Sequence, residues 1–559
     1  MIILGISGGH DANWCIVKDG KLLGAFEKER FTKKRHDSGE IVSFIARSLG
    51  YLGLTVNDID CIATSEPVHK NTEPGFLTLT GKKYKIPEQW EMHTVEIFNK
   101  ILPAVSIPHH LAHASYARYT SDFDNTSVIT WDGGGDFYTE DAYSSTTISS
   151  WKDNKLEWLK RIDNSDFGSL WFTYANILFG DGNMAGKLMG LAAYGSDVMV
   201  DQFRERFYAP VRNILEGAFT IKNCWPDHFS PPFISAGISW KEKISKDVAY
   251  AIQYITEEAG LSMVEKFAKI SAYKNLALSG GVALNGYLNT RIRESGFFKN
   301  VFVPPSVHDG GIAVGCALFA TYHVFDMSWR PIKNELAFLG YSYSEESILQ
   351  ALKKYNLTGN KIEKEEAIEL ASKAILDERI VAWYEGRSEH GPRALGNRSI
   401  LALPHAKRSK DILNEKIKFR ESFRPIAPVV MEKNLSKYFD MKESSPYMMY
   451  IVKSHEKAKQ LIPSGLHIDG TARVQTVTEE SSLGKITSII ERISGVGCVL
   501  NTSFNIRTPI VETPDDAIEA FLQVPIDILY LGGHLIKKSV KVTTSAQKTE
   551  KRDYVNTTC

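Results

Sequence analysis

Six cysteines in 559 residues, Cys15, Cys61, Cys224, Cys316, Cys498 and Cys559, form no CxxC pair. That scarcity argues against a disulfide framework and against zinc ribbons, and a reducing, cytoplasmic compartment is expected. Surplus charge is missing too: 66 basic residues meet 66 acidic ones. No global field therefore favours nucleic acid or an anionic membrane, and any anion must be bound by local clusters. Long apolar runs are absent. The weakly polar stretch from Gly310 to Phe325 is too short to span a bilayer, and the chain reaches Asp11 without a basic leader, so no anchor or export signal is expected. With 43% hydrophobic and 11% aromatic residues, the chain has material for two or more cores.

What is present centres on residues 105–136, VSIPHHLAHASYARYTSDFDNTSVITWDGGGD. His109 and His113 stand i, i+4, so on a helix both imidazoles project from one face toward a single cation. Asp132 follows an apolar run, Ser127 to Trp131, that reads as a buried strand; it could add a carboxylate, while the glycines after it let backbone approach an anion closely. A histidine pair that merely caps or lines a helix would show the same spacing.

The chain around this stretch repeats itself. Ile2 to Ser7, a Gly8-Gly9-His10-Asp11 turn, Asn13 to Val17, a Lys18 to Lys21 turn and Leu22 to Phe26 make a three-stranded meander. The same grammar recurs from Ser127 through the turn at Asp132-Gly133-Gly134-Gly135-Asp136 to Trp151–Lys160. Two glycine turns facing each other would clamp a polyphosphate. Helices then alternate with short strands: an amphipathic helix over 247–272, a strand at 275–278, a Ser279-Gly280-Gly281 turn, a helix over 282–293, a strand at 300–304, and His308-Asp309-Gly310-Gly311 opening another helix. Nucleotides bind at such strand ends. Asp309, at a loop-to-helix start, is a further candidate carboxylate.

HDA at 10–12, ERFTKKRHD at 29–37, HHLAHAS at 109–115, WDGGGD at 131–136, GKLMGLAAYG at 186–195 and SGGVALN at 279–285 resemble the O-carbamoyltransferases of the NodU/CmcH/TobZ family, over nearly the whole chain. The resemblance implies an α/β protein whose N-terminal part, residues 1–340 in subdomains of about 1–122 and 123–340, is a duplicated actin and sugar-kinase-like domain similar to TsaD. On matching positions His109, His113, Asp132 and Asp309 are the implied metal ligands. Two imidazoles and two carboxylates suit iron(II), zinc or manganese better than magnesium, with iron(II) favoured. Gly133, Gly134, Gly280, Gly281 and Asn285 are the implied nucleotide contacts.

Past about residue 340 the glycine turns stop. Helices over 344–354 and 364–377 lead to a strand at 380–384, and then Arg387, Arg393, Arg398, Lys418, Arg420 and Arg424 crowd between turn-forming neighbours. Guanidinium forks in that setting suit phosphate and carboxylate oxygens; surface ion pairs are the plainer alternative. HIDGTARVQTV at 467–477 and LNTSFN at 500–505 extend the resemblance, which implies a YrdC-like α/β domain over 341–542 and a disordered tail over 543–559. By matching motif Arg393, Lys418, Arg424 and Arg473 would hold carbamoyl phosphate, with Ser503 and Asn505 at the nucleotide. Two departures stand out: His390 where the family more often has Phe, and Ile506-Arg507-Thr508-Pro509 in place of a glycine-glutamate-proline ending.

The implied reaction is ATP-dependent transfer of a carbamoyl group from carbamoyl phosphate, through a carbamoyl-adenylate, to a hydroxyl of a small molecule, with ATP used as its magnesium complex. His10, near neutral in reference pKa and beside a glycine turn, is the candidate base, with Lys418 and Arg424 serving activation. No nucleic acid or membrane partner is expected, and a homodimer is compatible with the sequence. Segments 71–100 and 197–245 match no motif, and the second, with Trp225, Phe229, Pro231, Pro232 and Phe233, reads as an aromatic lid over an acceptor that the sequence leaves open among sugar, polyketide, alkaloid and cephem hydroxyls. Two alternatives are a tRNA threonylcarbamoyladenosine-type enzyme, which would want a basic surface, and a non-enzymatic nucleotide-dependent module, which would not need the arginine cluster.

Overall fold

A computed structural model of the chain describes residues 1–65, 89–134, 145–222, 232–332, 336–405 and 407–538, and traces short strands at 78–79, 137–139 and 142–143. Trp225, Phe229, Pro231, most of segment 71–100 and the tail from 543 lie outside the described residues.

Two sheets carry the repeat. In the first, the strand order is Lys21–Glu27, Asn13–Lys18, Ile2–Ser7, Cys61–Thr64, Lys100–Ser106, Glu91–Ile97, Thr78–Leu79. Its first three strands are an antiparallel meander, and Ile2–Ser7, Cys61–Thr64 and Lys100–Ser106 run parallel. The second sheet is ordered Lys155–Arg161, Thr146–Lys152, Thr126–Trp131, Asn275–Ser279, Asn300–Phe302, again an antiparallel meander followed by parallel strands. The duplication expected from the glycine turns is thus a duplication of topology.

Between the sheets lie two helices, His109–Thr120 and Ile312–Phe319. Ile312–Phe319 is apolar all round, as a helix covered on every side is expected to be, whereas His109–Thr120 is buried nearly all round yet carries His110, His113, Ser115 and Arg118 inside. One core takes Ile3, Cys15 and Val17 from the first sheet, Leu111 to Tyr119 and Ile312 to Phe319 from the helices, and Val128, Trp151 and Ala277 from the second sheet. A Cβ at Gly315 would fall 2.0 Å from the Ala112 carbonyl oxygen, so the helices cross in near backbone contact. The histidine pair is therefore fixed between two rigid layers.

The third sheet takes its strands from residues 360–537: Asn360–Lys361, His534–Lys537, Ile528–Leu531, Val381–Tyr384, Arg398–Ala402, Cys498–Ser503, Ala427–Met431, Gln475–Val477. It is mixed, with Val381–Tyr384 parallel to Ile528–Leu531 and antiparallel to Arg398–Ala402. Helices Lys364–Leu376 and Ser482–Ser494 pack on one face, Glu345–Lys354 and Pro514–Gln523 on the other. Among the described residues no helix is long and apolar enough to cross a membrane.

Most expected elements form within a few residues of their sequence-based limits; one differs in kind. The helix expected over 282–293 opens as a tight 3-10 turn, Gly281–Leu284, and becomes α-helical only from Gly286, with Asn285 as its N-cap. The Gly280 backbone sits at φ +87°, and a Cβ there would lie 2.0 Å from the Trp131 carbonyl oxygen. Gly280→Ala should cost about 2 kcal/mol or more, from both the left-handed backbone and the clash. Gly53→Ala, at φ +71° with nothing within 4 Å, should cost only about 1 kcal/mol. Urea unfolding of the two variants measures the difference, and equal losses would mean that the Gly280 turn relaxes.

Candidate functional site

Asp132 ends the Thr126–Trp131 strand and turns into the face of the His109–Thr120 helix. One carboxylate oxygen accepts backbone N–H groups of Gly133 (2.8 Å) and Gly281 (3.2 Å). The other stands 2.8 Å from His109 Nε2 and 3.2 Å from His113 Nε2. Asp309 approaches the same nitrogens at 3.7 and 3.3 Å, and all four ligand atoms lie within 4.8 Å of one another. Burial alone would raise the Asp132 carboxyl, but its two histidine partners hold it well below the usual carboxylate range. Burial would lower His113, and its bonds to Asp132 and Asp309 raise it instead. Two carboxylates and two imidazole nitrogens converging on one buried point form a donor set that fits a borderline divalent ion. The glycine N–H groups on the far oxygen of Asp132 then orient the ligand. His110 faces away, between Thr147 Oγ1 (3.2 Å) and Gly134 O (3.0 Å), and burial brings its pKa down to about 4.

The glycine turns expected to meet a nucleotide are thus partly committed. Gly133 and Gly281 hold Asp132, and Asn285 caps Leu288 N–H (3.1 Å) and exchanges paired amide bonds with Gln253 (3.1 and 3.0 Å).

His10 belongs to a neighbouring cluster. Its Nδ1 is 3.1 Å from Asp11 Oδ2, its Nε2 is 3.2 Å from Asn183 Oδ1, and its side chain is 46% exposed. Asp11, in the left-handed region at φ 56°, also bonds His36 Nδ1 at 2.8 Å, and the His10 and His36 rings stack 4.9 Å apart. The hydrogen bond to Asp11, larger than the opposing effect of burial, raises His10 to about 9. Asp11 and His36 were not singled out from the sequence, although both lie in the quoted HDA and ERFTKKRHD segments. A carboxylate that holds one imidazole nitrogen, on a ring that is 46% exposed, is the arrangement of an oriented acid or base. His308, which accepts Gly310 N–H at 2.7 Å and approaches Asp11 to 4.0 Å, joins this cluster to Asp309.

In the C-terminal half the expected cation cluster divides. Arg387 and Arg398 are structural: Arg387 donates to the Gly340 carbonyl at 2.8 Å, while Arg398 is fully buried 3.7 Å over the Tyr384 ring and donates to carbonyls of Glu385, Asn397, Tyr341 and Gly386. Arg393, Lys418, Arg420, Arg424 and Arg473 are buried or half-buried. Lys418 Nζ donates to Ser503 O (2.6 Å), Ser503 Oγ (3.1 Å), Asn505 O (3.1 Å) and Asn505 Oδ1. Burial first, then Arg420, Arg35 and Arg424, hold Lys418 well below an ordinary lysine. Burial, with Arg424 beside it, brings Arg393 down to about 10, and its Nε has no partner. The carboxylate in this company is Glu421, which Lys187 of the GKLMG segment engages at 2.9 Å. Among the described residues no ion pair closes on Arg393, Arg420, Arg424 or Arg473. Buried cations left so cost several kcal/mol each unless an anion joins them.

The halves interlock through polar contacts. Arg473 donates to Met448 O (2.7 Å) and, across the junction, to Leu284 O (3.2 Å). Arg30 donates to Gly391 O at 2.6 Å while Glu27 accepts Gly391 N–H at 3.2 Å. His390, the departure from the family pattern, is buried with Nε2 2.9 Å from the Gly310 carbonyl, so it ties the arginine loop to the turn that carries Asp309. Of the expected lid, Phe233 packs on Phe203 (ring centroids 4.8 Å apart) and Pro232 O accepts the Tyr174 hydroxyl (2.8 Å).

Comparison with known proteins finds two family patterns in this chain. The family pattern described as Carbamoyltransferase N-terminus matches residues 66–318, and Carbamoyltransferase C-terminus matches residues 372–538. Nodulation protein NolNO of Sinorhizobium fredii is 31% identical, covering 96% of this chain and 83% of that protein. A 3'-hydroxymethylcephem-O-carbamoyltransferase of Amycolatopsis lactamdurans is 28% identical over 90% of this chain and 93% of its own length. Among solved structures, full-length HypF in its phosphate- and nucleotide-bound form overlays with a TM-score of 0.34 at 16% identity, covering 59% of this chain and 56% of that one; a likeness that loose carries nothing, and the fold description rests on the strand orders above. With both family patterns matched in sequence and relatives aligned from end to end, this chain belongs to the carbamoyltransferase family and is an enzyme of that kind.

Proposed function

We propose that the protein is an ATP-dependent O-carbamoyltransferase that activates carbamoyl phosphate as a carbamoyl-adenylate in its C-terminal half, residues 341–542, and passes the carbamoyl group to a hydroxyl of a small molecule in its N-terminal half, residues 1–340. The observation that carries this reading is the set of buried or half-buried cations Arg393, Lys418, Arg420, Arg424 and Arg473, with one carboxylate among them already taken by Lys187. A bidentate guanidinium matches phosphate and carboxylate oxygens. A YrdC-like role for this half rests on the same cations and on the match to the family's C-terminal pattern. The balanced charge, 66 against 66, tells against a tRNA substrate.

The activation balances as carbamoyl phosphate, ATP and one water giving carbamoyl-adenylate, phosphate and pyrophosphate. Arg393, Lys418, Arg424 and Arg473 hold the phosphate, while Ser503 and Asn505, which Lys418 bonds, face the nucleotide. In the N-terminal half the acceptor hydroxyl loses its proton to His10, its oxygen attacks the carbamoyl carbon, and AMP leaves. Asp11 fixes the His10 ring and strengthens it as a base. A divalent ion at His109, His113, Asp132 and Asp309, iron(II) before zinc or manganese, would supply positive charge to the phosphate of the departing AMP.

Three outcomes test the reading. His109→Ala combined with His113→Ala should reduce bound transition metal from about one per chain to a trace by elemental analysis, and unchanged content would sink the site. His10→Ala should slow carbamoylation by about 100- to 10,000-fold while pyrophosphate release persists; Lys418→Ala should lose pyrophosphate release yet still use preformed carbamoyl-adenylate. If His10→Ala abolished both activities with melting and metal content intact, His10 would belong to activation. The third outcome concerns pH. Because the Asp11 bond raises His10 to about 9, His10 holds a proton below that pH and transfer from preformed carbamoyl-adenylate should rise with pH toward it. In Asp11→Asn the largest raising cause is lost and only the weaker pulls of Asp309 and Asn183 still oppose burial, so the rising limb should move to lower pH, with a smaller plateau. An unmoved limb would mean that another group supplies the base.

A further inference from the structure

We propose that His10, Asp11 and His36 form a second divalent-metal site, built of three ligands and open on one side, and that a zinc ion bound there disables His10. The inhibitory part rests on the reading of His10 as the base of the transfer step. The site itself does not.

The cluster repeats the geometry of the first site. Asp11 Oδ2 lies 3.1 Å from His10 Nδ1 and Asp11 Oδ1 lies 2.8 Å from His36 Nδ1, against 2.8 and 3.2 Å from Asp132 to His109 and His113. The His10 and His36 ring centroids are 4.9 Å apart, those of His109 and His113 4.7 Å. In each cluster one ligand atom from every residue falls within 4.8 Å of all the others. An ion held at about 2.0 to 2.2 Å from each donor draws its donors to such separations. Asp11 and His36 both hold left-handed backbone, at φ 56° and 55°. Backbone of that kind persists where its surroundings fix it, and it gathers at ligand clamps. His308 closes the side toward Asp309; its Nδ1 is taken by the Gly310 N–H at 2.7 Å, so it lines the site without being a ligand.

The other partner of His10 fixes where its hydrogen sits. Nε2 is 3.2 Å from Asn183 Oδ1, which only accepts, so Nε2 carries a hydrogen. The Nδ1 lone pair and an Asp11 oxygen then face each other at 3.1 Å, and two acceptors that close need a proton or a metal ion between them. A ring with zinc on Nδ1 and hydrogen on Nε2 has no lone pair left to take a proton from a hydroxyl. The two sites also differ in access. The first offers four ligands, with His113 fully buried; the second offers three, with His10 46% and His36 33% exposed. Four protein ligands close a site around a resident ion, whereas three leave an open position for water or an incoming group. Two imidazoles and one carboxylate take zinc ahead of iron(II) in the order of divalent affinities. The first ion therefore stays with the protein, and the second follows the free zinc concentration.

Equilibrium dialysis of the full chain, with its resident metal, against rising zinc tests this, read by elemental analysis. Total transition metal in the wild type should rise from about one to about two per chain. His36→Ala should keep the resident ion and take up no second one, while His109→Ala with His113→Ala should still take up the second. His36→Asp, which restores a ligand and tolerates left-handed backbone, should recover part of the uptake. Zinc should also slow transfer from preformed carbamoyl-adenylate in the wild type. In His36→Ala the half-inhibiting concentration, measured against that variant's own zinc-free rate, should rise by at least about 10- to 100-fold, the usual effect of losing even an outer partner of a metal. A wild type that stops at one ion, or a second ion that His36→Ala retains, would overturn the site. A second ion that binds without slowing transfer would overturn its action on His10. A wild type with no transfer at any zinc level would refute the transfer reading, and the metal counts would still decide the site.

Discussion

The Asp132 carboxylate ties the N-terminal half together. One oxygen is taken by two backbone N–H groups, from Gly133 after its own strand and from Gly281 after the neighbouring parallel strand. The other faces two imidazoles from a helix that lies between two sheets. A carboxylate buried this deeply would be protonated without partners, so each contact is needed to keep it ionised. Much follows from that. Gly280 must be left-handed so that Gly281 can reach Asp132, and the helices must cross closely, through Gly315 and Ala112, so that the histidines and Asp309 arrive together.

The two halves solve opposite electrostatic problems. In the N-terminal half histidines and carboxylates offset each other, and the local field can turn in favour of a cation. In the C-terminal half cations repel one another, and burial pushes Lys418, Arg420 and Arg473 well below their ordinary values. Structural arginines show what satisfaction looks like: Arg398, equally buried, is wrapped by four carbonyls and a tyrosine ring. Arg393 makes no hydrogen bond among the described residues, although Arg398 also leaves its Nε without a partner. The difference lies in the carbonyls that surround one guanidinium and not the other.

That difference is also where sequence reading ran out. The histidine pair was legible because helical periodicity puts i and i+4 on one face, and Asp132 because an apolar strand ends on it; the duplicated meander was legible in its turns, and the topology repeats it. Arg387 and Arg398 could not be told from Arg393 and Arg424, because all sit among small residues and only the fold decides whose carbonyls surround them. Nor did the glycine turns disclose that Gly133 and Gly281 serve a carboxylate, since a backbone N–H suited to phosphate is equally suited to Asp132. Asp11 and His36 went unread because their meeting depends on one left-handed residue. Arg35 was visible as a letter in ERFTKKRHD, but its bond to the Thr508 carbonyl of the other half comes from tertiary contact alone.

The junction between the halves explains why one chain carries both. Neither Arg473 nor Gly391 is satisfied within its own half: Arg473 needs the Leu284 carbonyl, and Gly391 is gripped on both its N–H and its C=O by Glu27 and Arg30. His390 bonds the carbonyl of Gly310, the residue after Asp309. These groups are buried and polar, so separating the halves would exchange each of these bonds for one to water, at a net cost of about 0.5 to 1.5 kcal/mol each. The apolar core runs across as well, with Tyr438, Tyr450 and Ile451 packed in one cluster with Ile129, Val282 and Leu288. A junction that costly to open favours a fixed arrangement over domains that drift apart between steps. A group passed between two sites gains from that fixity, because the sites keep a constant separation.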